Sequence, residues 1–208
     1  MIHSLPRIAA VILAAGRSTR MGPANKLLAD LNGKPLVRWV AEAALASQTR
    51  PVLAVTGHQA AEVKAALAGL DVTLVDNPDY ATGLASSLRA GIRALPEATD
   101  GVLVLLGDMP RITAAHIDRL IAASASGKIV VPAHEGRRGN PVLWPARFFL
   151  ALVALEGDAG AKRLLTAHAA DVHEVDLASD AIFLDIDTPD ALAHERQNPL
   201  SPFIRGEG

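Results

Sequence analysis

Short apolar runs of strand length alternate with longer amphipathic stretches along the first part of the chain. Residues 8–14, 51–56, 72–75 and 101–106 are apolar almost throughout, without a polar residue at every second position. That pattern predicts strands buried on both faces, as in a parallel sheet. Between them, residues 36–47 place Leu36, Val37, Val40, Ala44 and Leu45 on one helical face. Residues 59–68 read as a second helix ending before Gly69, and residues 84–95 as a third closed by Pro96. Residues 113–124 read as a fourth, with Thr113 as N-cap. Strand–helix alternation of this kind predicts an α/β fold: a three-layer α/β/α sandwich around a mostly parallel, Rossmann-like sheet. Ligands of such sheets bind beyond the carboxyl ends of the strands. Function is therefore expected in the loops after Ala14, Val75 and Leu106.

The second half is less regular. Strands are expected at 128–132, 139–144, 172–175 and 182–184, and helices at 146–155, 161–169 and 188–196, the last with Pro189 near its first position. Residues 1–197 read as one domain, with 8–112 and 113–197 as its halves. Residues 198–208 carry two Pro and two Gly and read as a loose tail. No apolar run approaches the ~18–20 residues needed to cross a bilayer. Residues 1–15 resemble a short signal peptide, but a buried first strand accounts for both the run and the Gly-containing loop behind it.

Composition narrows the chemistry. Half of the 208 residues are hydrophobic and a fifth are charged, as in a globular domain with a sizeable core. Twenty Lys and Arg against 22 Asp and Glu leave a net charge of -2, which argues against nucleic acid as a partner. Cysteine is absent, which removes disulfides, a thiolate nucleophile and Cys-ligated metals. Seven histidines are scattered without H-E-x-x-H spacing, and no G-x-S-x-G is present.

The loop from Leu13 to Lys26 is the first candidate for chemistry. Ala14, Ala15 and Gly16 allow close approach of the backbone to a ligand. Successive N–H groups over Ala15, Gly16, Arg17 and Ser18 can form an anion-binding concavity, with Arg20 and Lys26 as cationic clamps. The spacing fits neither a P-loop nor the dinucleotide fingerprint. After the third strand, Asn77-Pro78 favours a turn, and Gly83 precedes a helix whose first turn carries Ser86 and Ser87; plain helix capping is the competing account. Asp108 ends the most strand-like run and is placed to hold Mg²⁺, whereas Thr113 lies nearer the next helix start. Asp185 and Asp187 would face the same side of an extended segment, and capping of the last helix is the competing account for Asp187. Asn140 and Asp158 sit in Gly-rich turns that suit a polar acceptor or an ordinary surface.

Together these segments carry a resemblance. LAAGRSTRMG followed by NKLL, NPDYATGLASSL, LGDMP, RGNPV and DIDTP resemble, in order, the signatures of the MobA-like nucleotidyltransferase family. Within it the chain is most similar to the molybdenum cofactor cytidylyltransferase branch. The resemblance implies the nucleotide-diphospho-sugar transferase fold and a cytoplasmic, Mg²⁺-dependent enzyme. The implied reaction transfers CMP from CTP to the phosphate of molybdopterin (molybdenum cofactor), with release of pyrophosphate. The product would pass to a molybdoenzyme or its maturation chaperone, with no nucleic acid and no membrane involved. Carried over residue by residue, Leu13, Ala14, Ala15, Gly16, Arg17, Ser18, Arg20, Lys26, Asn77, Gly83, Ser87 and Asp108 would bind the nucleotide. Arg20, Lys26 and Asp108 would be catalytic, Asn140 and Asp158 would hold the acceptor, and Asp108 and Asp187 would hold Mg²⁺, with Asp187 ranked above Asp185. Another nucleotide or acceptor is the alternative within the family. A non-catalytic cofactor-delivery protein is the alternative outside it, and the intact Arg20, Lys26, Asp108 and Asp187 speak against that.

Ala15 stands where the guanylyl branch carries glycine. Less bulk there leaves room for a purine, so Ala15→Gly should raise turnover with GTP relative to CTP. Parallel rates with the two nucleotides measure this, and an unchanged ratio removes the loop as selectivity filter.

Overall fold

All seven side chains of β1 (Ile8–Ala14) are buried, which makes this strand the centre around which the sheet is laid. The computed structural model describes residues 6–18, 25–157 and 161–197. After β1 come the two-residue strands β2 (Asp30–Leu31) and β3 (Lys34–Pro35), then α1 (Leu36–Ala46), β4 (Val52–Thr56), α2 (Ala60–Ala66), β5 (Thr73–Asp76), α3 (Leu84–Arg93), β6 (Gly101–Leu106) and α4 (Ala114–Ala123). The second half adds β7 (Ile129–His134), β8 (Arg137–Arg138), β9 (Val142–Pro145), α5 (Phe149–Val153), α6 (Lys162–Ala167), β10 (Val172–Asp176) and α7 (Pro189–Gln197).

Among the described residues the main sheet has eight strands in the order β10-β7-β9-β6-β1-β4-β5, with β8 beside β7. β1 runs parallel to both β4 and β6, and β4 to β5. β9 is antiparallel to β6 and β7, so the sheet is mixed though mostly parallel. Side chains alternate across it. Ala10, Ile12 and Ala14 join Val40, Ala44, Val63, Ile117 and Leu120 from α1, α2 and α4. Val11 and Leu13 join Leu88, Trp144, Phe148 and Leu152 on the opposite face. The period of two in β1 thus divides two cores, giving the three layers expected from the apolar strands. No helix among the described residues is long and apolar enough to cross a membrane.

Several expected elements differ. The strand expected at 182–184 is a 3-10 turn over Asp180–Phe183, closed when Ser179 Oγ accepts from Ala181 N at 3.2 Å. Its apolar residues are buried by packing, with Ile182 O accepting from Asn140 N at 2.9 Å, and make no strand ladder. The strand expected at 139–144 begins only at Val142; Pro141 has no N–H to contribute to a ladder. The helix expected at 146–155 is a 3-10 turn followed by the short α5. The β2–β3 hairpin was not anticipated, although Asn32 and Gly33 at its tip, with φ of 55° and 84°, are the residue pair that such turns favour.

A small third core positions α7. Ile186 and Leu192 are buried with Leu31 and Leu36, which docks α7 and the segment before it onto the β2–β3 hairpin. Residues 198–208 lie outside the described residues.

α4 is capped as expected. Thr113 Oγ1 accepts from His116 N at 3.3 Å, and His116 Nδ1 accepts from Thr113 N at 3.3 Å. Burial, then the charge of Arg119, holds the His116 pKa below its usual 6.5. The unfolded chain therefore takes up the proton first as pH falls, so this contribution is present above about pH 6.5 and lost on acidification. The glutamine of His116→Gln keeps an acceptor but does not titrate. Between pH 8 and pH 5 the wild-type melting temperature should fall more than that of His116→Gln; parallel curves would exclude the imidazole as the cause.

Candidate active site

The loops after β1, β5 and β6 converge, as the parallel strands require, around a cleft of about 410 Å³. Leu13, Ala15, Gly16 and Arg17 form one wall, Gly83 and Ser87 another, and Lys26 and Asp108 lie at the polar end. Eight of the expected nucleotide-binding residues thus line one cavity. Ala14 does not, being fully buried in the core behind it. Ser18 does not line it either. With φ of 53°, it turns the chain so that its Oγ accepts from Lys26 N at 3.1 Å and donates to Asn25 Oδ1 at 3.3 Å. It is a clasp that brings Lys26 back beneath the end of β1. Asn77 is buried behind the cleft wall, its amide occupied by Ser86, Ser87 and the backbone of Asp79. Arg20 and Asp158 lie outside the described residues.

The polar end is an acidic cluster. Asp108 follows β6, and its carbonyl accepts from Ile186 N at 3.0 Å, tying the DID segment to the end of the central strand. Asp108, Asp185 and Asp187 each offer a carboxylate oxygen within 4.8 Å of the others. Asp187 is therefore not required as a helix cap; Thr188 takes that part, its Oγ1 accepting from Ala191 N at 3.2 Å. Asp185, ranked second from the sequence, belongs to the same group. Lys26 Nζ donates to both Asp108 Oδ2 and Asp187 Oδ1.

Electrostatics follow from this crowding. For Lys26, burial works against the charged form, but the charges and hydrogen bonds of Asp108 and Asp187 outweigh it and raise the pKa above 10.5. Desolvation, then the hydrogen bond and charge of Asp187 and the charge of Asp108, pushes Asp185 up to about 6. Asp185 is exposed, so screening reduces what this shift is worth to stability. Asp108 Oδ1 is buried without a hydrogen-bond partner. A buried carboxylate oxygen in that state, facing two further carboxylates, fits a hard divalent cation that takes oxygen ligands.

The second half approaches the site less directly. Asn140 is half-buried and does not line the cleft. Gly139 lies so close to the 180–183 turn that a Cβ there would fall 2.4 Å from Ile182 O. Arg137 stacks 4.4 Å above the Phe183 ring. The RGN turn thus braces the segment leading into DID. Sequence reasoning overlooked Tyr80, which lines the cleft and is the only tyrosine in the chain. It is seated against Gly57, where a Cβ would come within 2.5 Å of Tyr80 Cβ and 2.9 Å of Ala15 Cβ.

Fold and cleft together define a nucleotidyltransferase of the nucleotide-diphospho-sugar transferase type. The chain belongs to the family described as the MobA-like NTP transferase domain, matched over residues 10–172. It is 32% identical to the molybdenum cofactor cytidylyltransferase of Escherichia coli (strain K12), over 86% of this chain and 91% of that protein. It is 31% identical to the nicotine blue oxidoreductase of Paenarthrobacter nicotinovorans, over 88% and 94% of the two chains. Among solved structures, a nucleotidyl transferase from Methanothermobacter thermautotroptrophicus superposes with a TM-score of 0.81 at 26% identity, covering 92% and 97% of the two chains. Rv0371C of Mycobacterium tuberculosis, solved in complex with manganese, gives 0.76 at 27% identity, covering 90% and 97%.

Lys26 directly bridges two of the three carboxylates. Lys26→Met should therefore cost the metal-free protein about 3–5 kcal/mol, the scale for stranding a buried charge. Urea denaturation in a chelator measures this, and an unchanged midpoint would mean that the acids tolerate one another without the ammonium group.

Proposed function

We propose that the protein transfers CMP from CTP to the terminal phosphate of molybdopterin carrying molybdenum, releasing pyrophosphate, as a cytoplasmic enzyme. The observation that carries this reading is a cleft lined by the loop after β1 and by Asp108, the carboxylate that Asp185 and Asp187 join in one acidic cluster. An acceptor phosphate oxygen would attack the α-phosphorus as the bond to the bridging oxygen of pyrophosphate breaks. No protein nucleophile is needed, because such transfers depend on positioning and charge stabilisation. Gly16 and Arg17 would cradle the triphosphate, with Lys26 and Arg20 neutralising charge that grows on the leaving group. Asp108 and Asp187, joined by Asp185, would hold Mg²⁺, which when bound offsets the charge of the reacting phosphates. Residues 8–112 would supply the nucleotide side. Residues 113–197, with Asn140 and Asp158, would supply the acceptor side, and the product would go to a molybdoenzyme.

The cytidylyl choice rests on Ala15 and on the similarity to the E. coli cytidylyltransferase. A relative of nearly equal identity bears the name of an oxidoreductase, so a redox activity is the second reading. The acidic cluster favours transfer, since hydride exchange has no use for three carboxylates at the phosphate end. Pyrophosphate release with each of the four ribonucleoside triphosphates, with and without molybdopterin, separates the readings. Asp108→Asn and Asp187→Asn should each lower that release by about 10²-fold or more, the scale for losing a preorganised charge stabiliser. Activity within a few fold of wild type in a folded variant would remove that acid from the reaction.

A further inference from the structure

Asn77 follows β5 and is 4% exposed. The N–H of Asp79 donates to its Oδ1 at 3.0 Å, which settles which end of the amide is oxygen. Its Nδ2 then donates one proton to Ser86 Oγ at 2.9 Å and the other to Ser87 Oγ at 3.1 Å. Ser86 hands its own proton to Gly83 O at 2.8 Å. Ser86 is thus fully committed within the loop. Ser87, one residue further along α3, lines the cleft with its oxygen already engaged as acceptor.

A serine hydroxyl in water donates or accepts as its surroundings demand. The amide of Asn77 removes that freedom and leaves Ser87 with a proton to give. We infer that Asn77 is a positioning residue that fixes Ser87 as a one-way donor, so that the cleft reads an acceptor atom of the base. This inference rests on the nucleotide-binding reading of the cleft. Cytosine answers with O2 and N3. The N1–H and N2–H₂ edge of guanine would meet donor with donor, leaving buried groups unpaired. Selection against the purine is then written into a hydrogen-bond direction and does not depend on cavity size alone.

The test is a cycle of variants read as dissociation constants for CTP and GTP, measured by calorimetry without acceptor. In Asn77→Asp a carboxylate accepts where the amide donated, which turns the Ser87 proton inward. Its added charge repels both triphosphates alike, so the ratio of the two constants isolates the effect on the base. That preference for CTP should fall about tenfold or more in Asn77→Asp. In a Ser87→Ala background the same substitution should leave the ratio unchanged, which a merely structural role for Asn77 would not produce. If Asn77→Asp fails to fold, Asn77→Ala, which frees the hydroxyl to rotate, carries the same comparison. A ratio that shifts equally in both backgrounds, or that does not shift in a variant melting near wild type, overturns the inference. A Ser87→Ala variant with unaltered affinity for every nucleotide overturns the reading of the cleft on which it stands. A wild-type protein that prefers GTP overturns both.

Discussion

Three carboxylates that can bring oxygens within 4.8 Å of one another repel strongly unless a cation lies among them. That repulsion is the constraint around which the molecule is arranged. Lys26 answers it from one side, and reaching the acids takes a specific detour. The chain leaves β1, is clasped by Ser18 to Asn25 and to the Lys26 backbone, and enters a single 3-10 turn in which Asn25 accepts from Leu27 N. The acids come from the other side, on two segments stitched by one backbone hydrogen bond from Ile186 to Asp108. A site assembled this way cannot relax by drifting apart, because Ile186 is buried with Leu31, Leu36 and Leu192. The raised pKa of Asp185 and the unpartnered oxygen of Asp108 express the same crowding.

Most of the fold was legible because the central strands are apolar on both faces. β1 and β6 have no polar side chain to place, so they can lie only between two helical layers. Legibility fell where apolar residues are buried by something other than a ladder. Ile182 looks like strand by composition and is held by a 3-10 turn against Gly139 and Asn140. Of the residues with a chemical signature, Arg17, Lys26, Gly83, Ser87 and Asp108 all line the cleft. What the sequence does not carry is direction. Asn77, after β5, and Ser87, in the first turn of α3, are both polar, and only the fold separates the one lining the cavity from the one buried behind it. Spacing alone likewise makes Asp185 and Asp187 alternatives, whereas the fold brings both to Asp108.

The two faces of the cleft differ in how they are built. The β1 side sets the small Ala15 and Gly16 between Leu13 and Arg17, a stretch whose backbone N–H groups suit an anion. The β5–α3 side is a side-chain network in which Asn77, Ser86 and Gly83 satisfy one another. Tyr80 closes the remaining edge, seated in space that only the absence of a side chain at Gly57 leaves open. Under the proposed function, a pocket of this kind would separate the general task of holding a triphosphate from the particular one of choosing a base.

The docking of Ile186 has a consequence for the order in which the protein comes into being. Asp187 comes well after Asp108 in the chain, and their union depends on α7 returning to the earlier β2–β3 hairpin. While the chain is still on the ribosome, β1, β4, β5 and β6 can pair and the first carboxylate can take its place. The other two have not yet been synthesised. A nascent chain therefore holds a half-formed cleft without its full set of charges until the segment through α7 has been made.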